Sequence, residues 1–244
     1  MNNTVDTINY KGYEIEIIQD IDPLNPIEDW DCWIGTMCCS HSRYTLGHKQ
    51  FKSGKRMIYD LLVDEFNYDL DTYSYEFDGD CELDYDYENM SEIDFITKWQ
   101  QVMKKQAIVL PLYLYDHSGI TINTTGFSCP WDSGQVGFIY ANIAKVKKEY
   151  EWKLLTQKRR EQVIEWLKGE VETYDQFLTG DVYGFNIDDP ITDEHIDSCW
   201  GFFGDDWEKN GLFEHSKPAI DYHVKKVEKE KAEAYAIEIG DCVI

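Results

Sequence analysis

Positive charge is scarce in this chain. Its 244 residues include 23 lysines and arginines against 47 aspartates and glutamates, so the formal net charge at pH 7 is −24. This excess goes beyond what solubility requires, and it repels the phosphates of nucleic acids and of anionic lipids. We therefore expect no direct binding to nucleic acid or to a membrane, and we expect a basic partner.

Long apolar runs are also missing, because no stretch approaches the roughly 20 residues that a membrane-spanning helix needs. The opening residues, MNNTVDTINYKGYEIEI, contain neither the basic start nor the apolar core of a signal peptide. The seven cysteines are odd in number and irregularly spaced, which indicates reduced thiols. Together these absences predict a protein of the cytoplasm.

Apolar residues are present in the proportion typical of a folded protein, with 43% hydrophobic and 15% aromatic residues. The alternation in Tyr10–Gln19 predicts an early strand, and the spacing in Gln157–Leu178 predicts a helix that Gly180 ends. We predict a loop over Asn25–Lys49 and a C-terminal helix from about Pro218.

These strands and helices are mixed without the regular alternation of βαβ units. The fold class expected from this pattern is α+β, with a largely antiparallel sheet and packed helices. We predict a single domain over residues 1–244, with an acidic strand or loop insertion at about residues 60–94.

The insertion contains the stretch DGDCELDYDYE, in which every second residue is acidic. In a strand these carboxylates would share one face about 6.6 Å apart, a regular line of charge like that of a nucleic-acid backbone. The alternative is a solvated edge strand whose charges prevent aggregation. The residues that we expect to contact a partner are Asp69, Asp71, Glu76, Asp78, Asp80, Glu82, Asp84, Asp86, Glu88, Tyr85 and Tyr87.

Motifs for metals and cofactors are not found, so we expect neither. The acidic run lacks the glycine and the ligand spacing of an EF-hand calcium loop. No two cysteines have the C-x-x-C spacing of a zinc site, and the chain has no Walker loop or dinucleotide-binding fingerprint.

One segment contains the residue types of a thiol enzyme. YDHSGITINTTGFSCPWDSGQVG contains His117, Cys129 and Asp132, which are the types of a base, a nucleophile and an orienting carboxylate. A hairpin would bring the two halves of this segment together. A small Cys/His-dependent hydrolase is therefore an alternative function, and the other interpretation of these residues is structural. The pattern as a whole favours a protein that is not an enzyme and has no catalytic residues.

Basic residues cluster in one part of the sequence, from Lys145 to Arg160. This segment either folds against the acidic region and neutralises it within the chain, or faces solvent and leaves the acids free. Sequence alone leaves both arrangements open.

Segments along most of the chain resemble a family of uncharacterised bacteriophage and mobile-element proteins. They are GTMCCSHSRYTLGHK, LPLYLYDHSGITINTTGFSCPWDSGQVGFIY, and VETYDQFLTGDVYGF with DSCWGFFGDD. The resemblance implies a phage or mobile-element context and assigns no catalytic residue. Small acidic proteins in that setting often block host defence enzymes, which is an argument by analogy.

The expected function is therefore that of an acidic phage-encoded inhibitor, of the anti-CRISPR or antirestriction type. It would bind the nucleic-acid-binding surface of a basic host protein, such as a CRISPR effector or a restriction-type nuclease, by DNA-like charge mimicry. A non-catalytic structural or assembly protein is the remaining alternative, and a homodimer is left open.

Overall fold

A computed structural model describes residues 4–66, 91 and 103–241 of the chain. The chain forms two compact units. Unit 1 consists of Met1–Leu24 and Gln176–Ile244, and unit 2 is Asn25–Asp175. The single-domain prediction remains a prediction, and most of the predicted acidic insertion lies outside the described residues.

Unit 1 contains a four-stranded antiparallel sheet in the order β1-β2-β8-β9. The strands are β1 (Thr4–Tyr10), β2 (Tyr13–Gln19), β8 (Val182–Asp188) and β9 (His195–Phe203). Lys11 and Gly12 join β1 to β2 with φ values of 54° and 85°, as a tight hairpin turn requires. The predicted strand after the Lys-Gly turn is confirmed.

The core of unit 1 lies between this sheet and the C-terminal helix. Its fully buried members are Ile15, Ile17, Phe185, Ile187, Leu212 and Ile220. The helix, Leu212–Asp241, begins six residues before the predicted start at Pro218. Two features explain the earlier start. The Asn210 side chain accepts a hydrogen bond from the backbone N–H of Leu212 at 2.9 Å, and Leu212 is itself a core residue.

Unit 2 contains a five-stranded mixed sheet in the order β4-β3-β7-β5-β6. Only the β3–β4 pair is parallel. The strands are β3 (Thr36–Cys39), β4 (Lys49–Gln50), β5 (Ala107–Asp116), β6 (Ile120–Asn123) and β7 (Ser133–Asn142). The prediction of a loop over Asn25–Lys49 is wrong at Pro26–Asp29, which forms a short helix, and at β3. This strand is mostly buried, so its sequence does not show the polar and apolar alternation of a half-exposed strand.

The helices that lie entirely within the described residues are α1 (Pro26–Asp29), α2 (Gly54–Asp60), α3 (Ile143–Glu149), α4 (Gln157–Thr179) and α5 (Leu212–Asp241). A π-helical turn, Leu61–Glu65, continues α2. In α4 the buried side chains recur at helical spacing, and Gly180 follows with a φ of 75°. The predicted helix and its glycine end are confirmed, and so is the α+β fold class.

Candidate functional site

The acidic contact surface predicted from the sequence lies outside the described residues. This applies to all eleven of its members: Asp69, Asp71, Glu76, Asp78, Asp80, Glu82, Asp84, Asp86, Glu88, Tyr85 and Tyr87. Their role as a partner-binding surface stays a prediction.

The three residues of the thiol-enzyme alternative meet at Asp132. The strands β5 and β7 pair in the same sheet, and this pairing brings the two halves of the segment together. One carboxylate oxygen of Asp132, Oδ2, lies 3.5 Å from His117 Nδ1 and 3.6 Å from Cys129 Sγ.

The arrangement of these contacts is that of a structural contact that stabilises the loop, and not that of a catalytic cysteine–histidine pair. In a Cys-His nucleophile the imidazole lies beside the sulfur and the carboxylate behind the imidazole. Here the carboxylate contacts both, and the described contacts include no hydrogen bond between Cys129 and His117. A carboxylate next to the sulfur repels a thiolate. The backbone N–H of Asp116 also donates to the carbonyl of Asp132 at 2.8 Å, which fixes the loop to β5.

A different candidate site lies in unit 1, which we call the acidic hollow. It is open to solvent and has a volume of about 460 Å³. Three apolar side chains and three carboxylates line it: Ile8, Trp207, Phe213, Asp205, Asp206 and Glu208.

Local hydrogen bonds shape the loop that forms the acidic hollow. Gly204 ends β9 with a φ of 88°, a conformation that glycine adopts without strain. The Asp206 carboxylate accepts the backbone N–H of Lys209 at 3.2 Å, and the N–H of Phe213 donates to the carbonyl of Trp207 at 3.0 Å. The loop therefore enters helix α5 directly, and the Phe213 ring is placed by the first turn of that helix.

The Trp207 ring is held on two sides. Its indole Nε1–H donates to Asp6 Oδ2 at 2.7 Å. The rings of Trp207 and Tyr183 make an edge-to-face contact with centroids 4.9 Å apart. The indole is thus fixed by strands β1 and β8, which the sheet holds in register. Aromatic faces carry negative potential and attract cations. The ammonium of Lys217 illustrates this attraction, because it lies 4.0 Å from the centroid of the Phe213 ring.

The potential around the acidic hollow is negative. Burial, together with a hydrogen bond to Asp181 and the charges of Asp181 and Asp205, raises the pKa of Tyr183 to about 12. Asp206 pairs with Lys209 at 2.6 Å. Among the described residues, Asp205 and Glu208 have no cation within 4.0 Å. Lys209 also interacts with the charge of Asp205 over a longer distance. The hollow therefore combines aromatic rings with two carboxylates that have no direct ion pair among the described residues, which suits the aliphatic stem and charged head of a lysine or arginine.

The acidic hollow is not predicted from the sequence, because its three acids are few beside those of residues 60–94. The available signal was GDDWEKN, in which three acids surround a tryptophan directly after a strand. A tryptophan within acids is the pattern of a surface that contacts cations. The contribution of Ile8 could not have been found, because only the pairing of β1 with β2 brings it near residues two hundred positions later.

A second polar cluster in unit 1 fastens the β8–β9 connection to helix α5. The buried Asp189 carboxylate accepts the backbone N–H groups of Thr192 and Ile191, at 2.9 and 2.8 Å, and lies 2.8 Å from His223 Nε2. These hydrogen bonds hold the pKa of Asp189 well below its usual range. Because Asp189 is satisfied by its own loop and by one helix, we interpret the cluster as a structural clasp.

The cysteines of the described residues differ in environment. Burial raises the pKa of Cys38 and of Cys39 to about 12 in each case, whereas Cys32 is exposed. Across residues 4–66 and 103–241, no three His, Cys, Asp or Glu side chains are grouped in a way that could hold a metal ion.

In the same described part of the chain, none of the helices combines the length and the apolar character that a membrane span requires.

Comparison with known proteins gives no relative: no family model, no curated protein and no solved structure matches this chain significantly. The resemblance to phage and mobile-element proteins therefore stays a prediction.

Proposed function

We propose that this protein is a non-enzymatic acidic binder that attaches to a basic protein surface, one that ordinarily binds nucleic acid. The observation that carries the proposal is the acidic hollow, where the unpaired carboxylates of Asp205 and Glu208 lie beside the fixed ring of Trp207. A basic surface presents lysine and arginine side chains that such a hollow accommodates. The aliphatic stem packs on the ring, and the charged head meets the carboxylates.

The distribution of charge supports this proposal. Unit 1 contains 21 acids and seven lysines and arginines, and residues 67–102 contain 11 acids and one lysine. Opposite charge on a partner would accelerate association and make it sensitive to salt. An aromatic ring at the centre of a charged surface is also the usual composition of an energetic hot spot.

A host defence protein is the partner that we propose within this class. The support is the resemblance to phage and mobile-element proteins, together with the alternating acids of DGDCELDYDYE. CRISPR effectors and restriction-type nucleases hold nucleic acid in positively charged channels. Carboxylates at phosphate-like intervals would compete for such a channel, and the acidic hollow would add a second attachment point.

The proposal is tested by affinity capture from a host lysate, with the full chain as bait, at low and at high salt. We expect a basic nucleic-acid enzyme at low salt, its loss at high salt, and its inhibition in a cleavage assay. The double variant Asp205→Lys/Glu208→Lys should lose both capture and inhibition.

A matched control separates the site from the overall charge. Glu149→Lys/Glu172→Lys changes the net charge by the same amount at two exposed positions on α3 and α4. We expect this control to retain most of the binding. If both double variants lose partner binding equally, the binding is a non-specific effect of net charge. If Asp205→Lys/Glu208→Lys binds the partner as the wild type does, the acidic hollow is not the binding site. The triple variant Asp80→Lys/Asp84→Lys/Asp86→Lys tests the acidic run independently.

A further inference from the structure

Unit 2 contains a segment of the opposite charge, which we call the basic strip. Residues 143–160 contain seven lysines and arginines and only two glutamates. The first of these cations, Lys145, pairs with Glu65. The basic strip consists of the remaining six: Lys147, Lys148, Lys153, Lys158, Arg159 and Arg160.

The cations of the basic strip are left without described carboxylate partners. Within residues 4–66 and 103–241, no acid lies within 4.0 Å of any of their charged groups. The chain has twice as many acids as bases, so unpaired cations concentrated in one segment are unexpected. No acid of the described residues competes with an anionic ligand for them.

A cluster of aromatic rings lies among these cations. Measured between centroids, the ring of Tyr150 lies 4.8 Å from that of Trp166 and 5.2 Å from that of Trp152, and the two tryptophan rings are 6.0 Å apart. The guanidinium of Arg159 lies 4.8 Å from the centroid of Trp152. Arg159 Nη1 donates to the carbonyl of Leu154 at 2.7 Å, which holds the planar group in place over the ring.

We infer that the basic strip binds single-stranded nucleic acid. Unpaired lysines at short intervals neutralise phosphates, and nucleobases stack on aromatic rings and on the plane of arginine guanidinium groups. The Arg159 guanidinium and the half-buried rings of Trp152 and Trp166 are the groups on which an unpaired base would stack. A duplex hides its base faces and cannot use these groups, and an acidic peptide matches the lysines but not the planar groups.

The whole-chain charge argues against this ligand, but the local charge favours it. At physiological salt the Debye length is about 8 Å, so distant acids are largely screened while charges of the strip act at contact. The inference does not rest on the proposed function, since it concerns a different unit and an anionic ligand. If both hold, the partner is a protein that carries nucleic acid, and each unit of this chain contacts one component.

The test is fluorescence anisotropy with the full chain and a labelled oligothymidine of about 12 nucleotides, a length within the range that single-strand-binding sites cover. Neutralisation of about four phosphates predicts a slope near −2.8 in a plot of log affinity against log salt. Between about 50 and 200 mM salt the affinity should then fall roughly 50-fold. Absence of binding at the lower salt would overturn the inference.

Two variants assign the binding to the strip. Lys153→Glu/Lys158→Glu/Arg160→Glu should abolish it, while Lys225→Glu/Lys226→Glu/Lys231→Glu on α5 should leave most of it intact. Arg159→Lys retains the charge but removes the planar group, so it should weaken binding without changing the salt slope. Equal effects of the two triple variants, or equally strong competition by an acidic peptide of the same length, would contradict a nucleic-acid surface.

Discussion

The ring of Trp200 covers Gly184 on the sheet of unit 1, and this contact gives a sharp test of the structure. The two residues are partners across β8 and β9. A Cβ atom at position 184 would lie 2.3 Å from Trp200 Cε3 and 2.8 Å from the carbonyl oxygen of Cys199. Strand β9 leads directly into the loop of the acidic hollow.

Gly184→Ala should destabilise the protein by about 1–3 kcal/mol, the usual cost of overpacking. Alanine gains about 0.5–1 kcal/mol over glycine where the backbone accepts it, so a net loss requires the clash. Removal of the ring by Trp200→Ala relieves the closest contact but not the one with the Cys199 carbonyl. In that background Gly184→Ala should therefore cost less, by about 1 kcal/mol.

Urea denaturation of the four proteins of this double-mutant cycle measures the coupling. Gly134→Ala in β7 is the matched control, because its Cβ would meet no atom within 4 Å. We expect the control to stay within about 0.5 kcal/mol of the wild type or to gain slightly. If Gly184→Ala is neutral, or if the two changes in the cycle simply add, the ring does not cover Gly184.

Three further predictions concern titratable and reactive groups. Hydrogen bonds depress the pKa of Asp189 in the folded state, so its carboxylate stabilises the fold above the ordinary carboxyl pKa, and this stabilisation is lost as the pH falls below that value. The variant Asp189→Asn should therefore flatten the acid side of a plot of unfolding midpoint against pH. Cys129→Ala should leave partner binding and inhibition unchanged, and loss of both in a stable variant would revive the thiol-enzyme alternative. In brief iodoacetamide labelling at pH 8, peptide mapping should find Cys32 modified and Cys38 and Cys39 protected, because burial keeps both as thiols.

Local patterns in the sequence predicted much of the fold. The hairpin turn at Lys11 and Gly12 and the helix Gln157–Thr179 follow from positive φ preferences and from helical spacing, which act over a few residues. The strand Thr36–Cys39 does not alternate because both of its faces are mostly buried, so the pattern of a half-exposed strand is missing. Pro218 predicts a helix start because proline is favoured in the first turn of a helix, but α5 begins six residues earlier and contains this proline.

The candidate site could be predicted only in part. The sequence predicted that His117, Cys129 and Asp132 would meet if a hairpin formed, but their order of contact depends on side-chain directions that spacing does not determine. The acidic hollow depends on the contact between Asp6 and Trp207, which are far apart in sequence. Sheet register, and not local pattern, creates such contacts.

The indole N–H resonance of Trp207 gives the most direct measurement of the central claim, because that group donates to Asp6 beside the hollow. In an NMR titration with a lysine- and arginine-rich peptide, we expect this resonance to shift and saturate. The shift should disappear in Asp205→Lys/Glu208→Lys and persist in Glu149→Lys/Glu172→Lys. A resonance that stays in place while others in the protein move would contradict the assignment of the acidic hollow as a binding site for basic side chains.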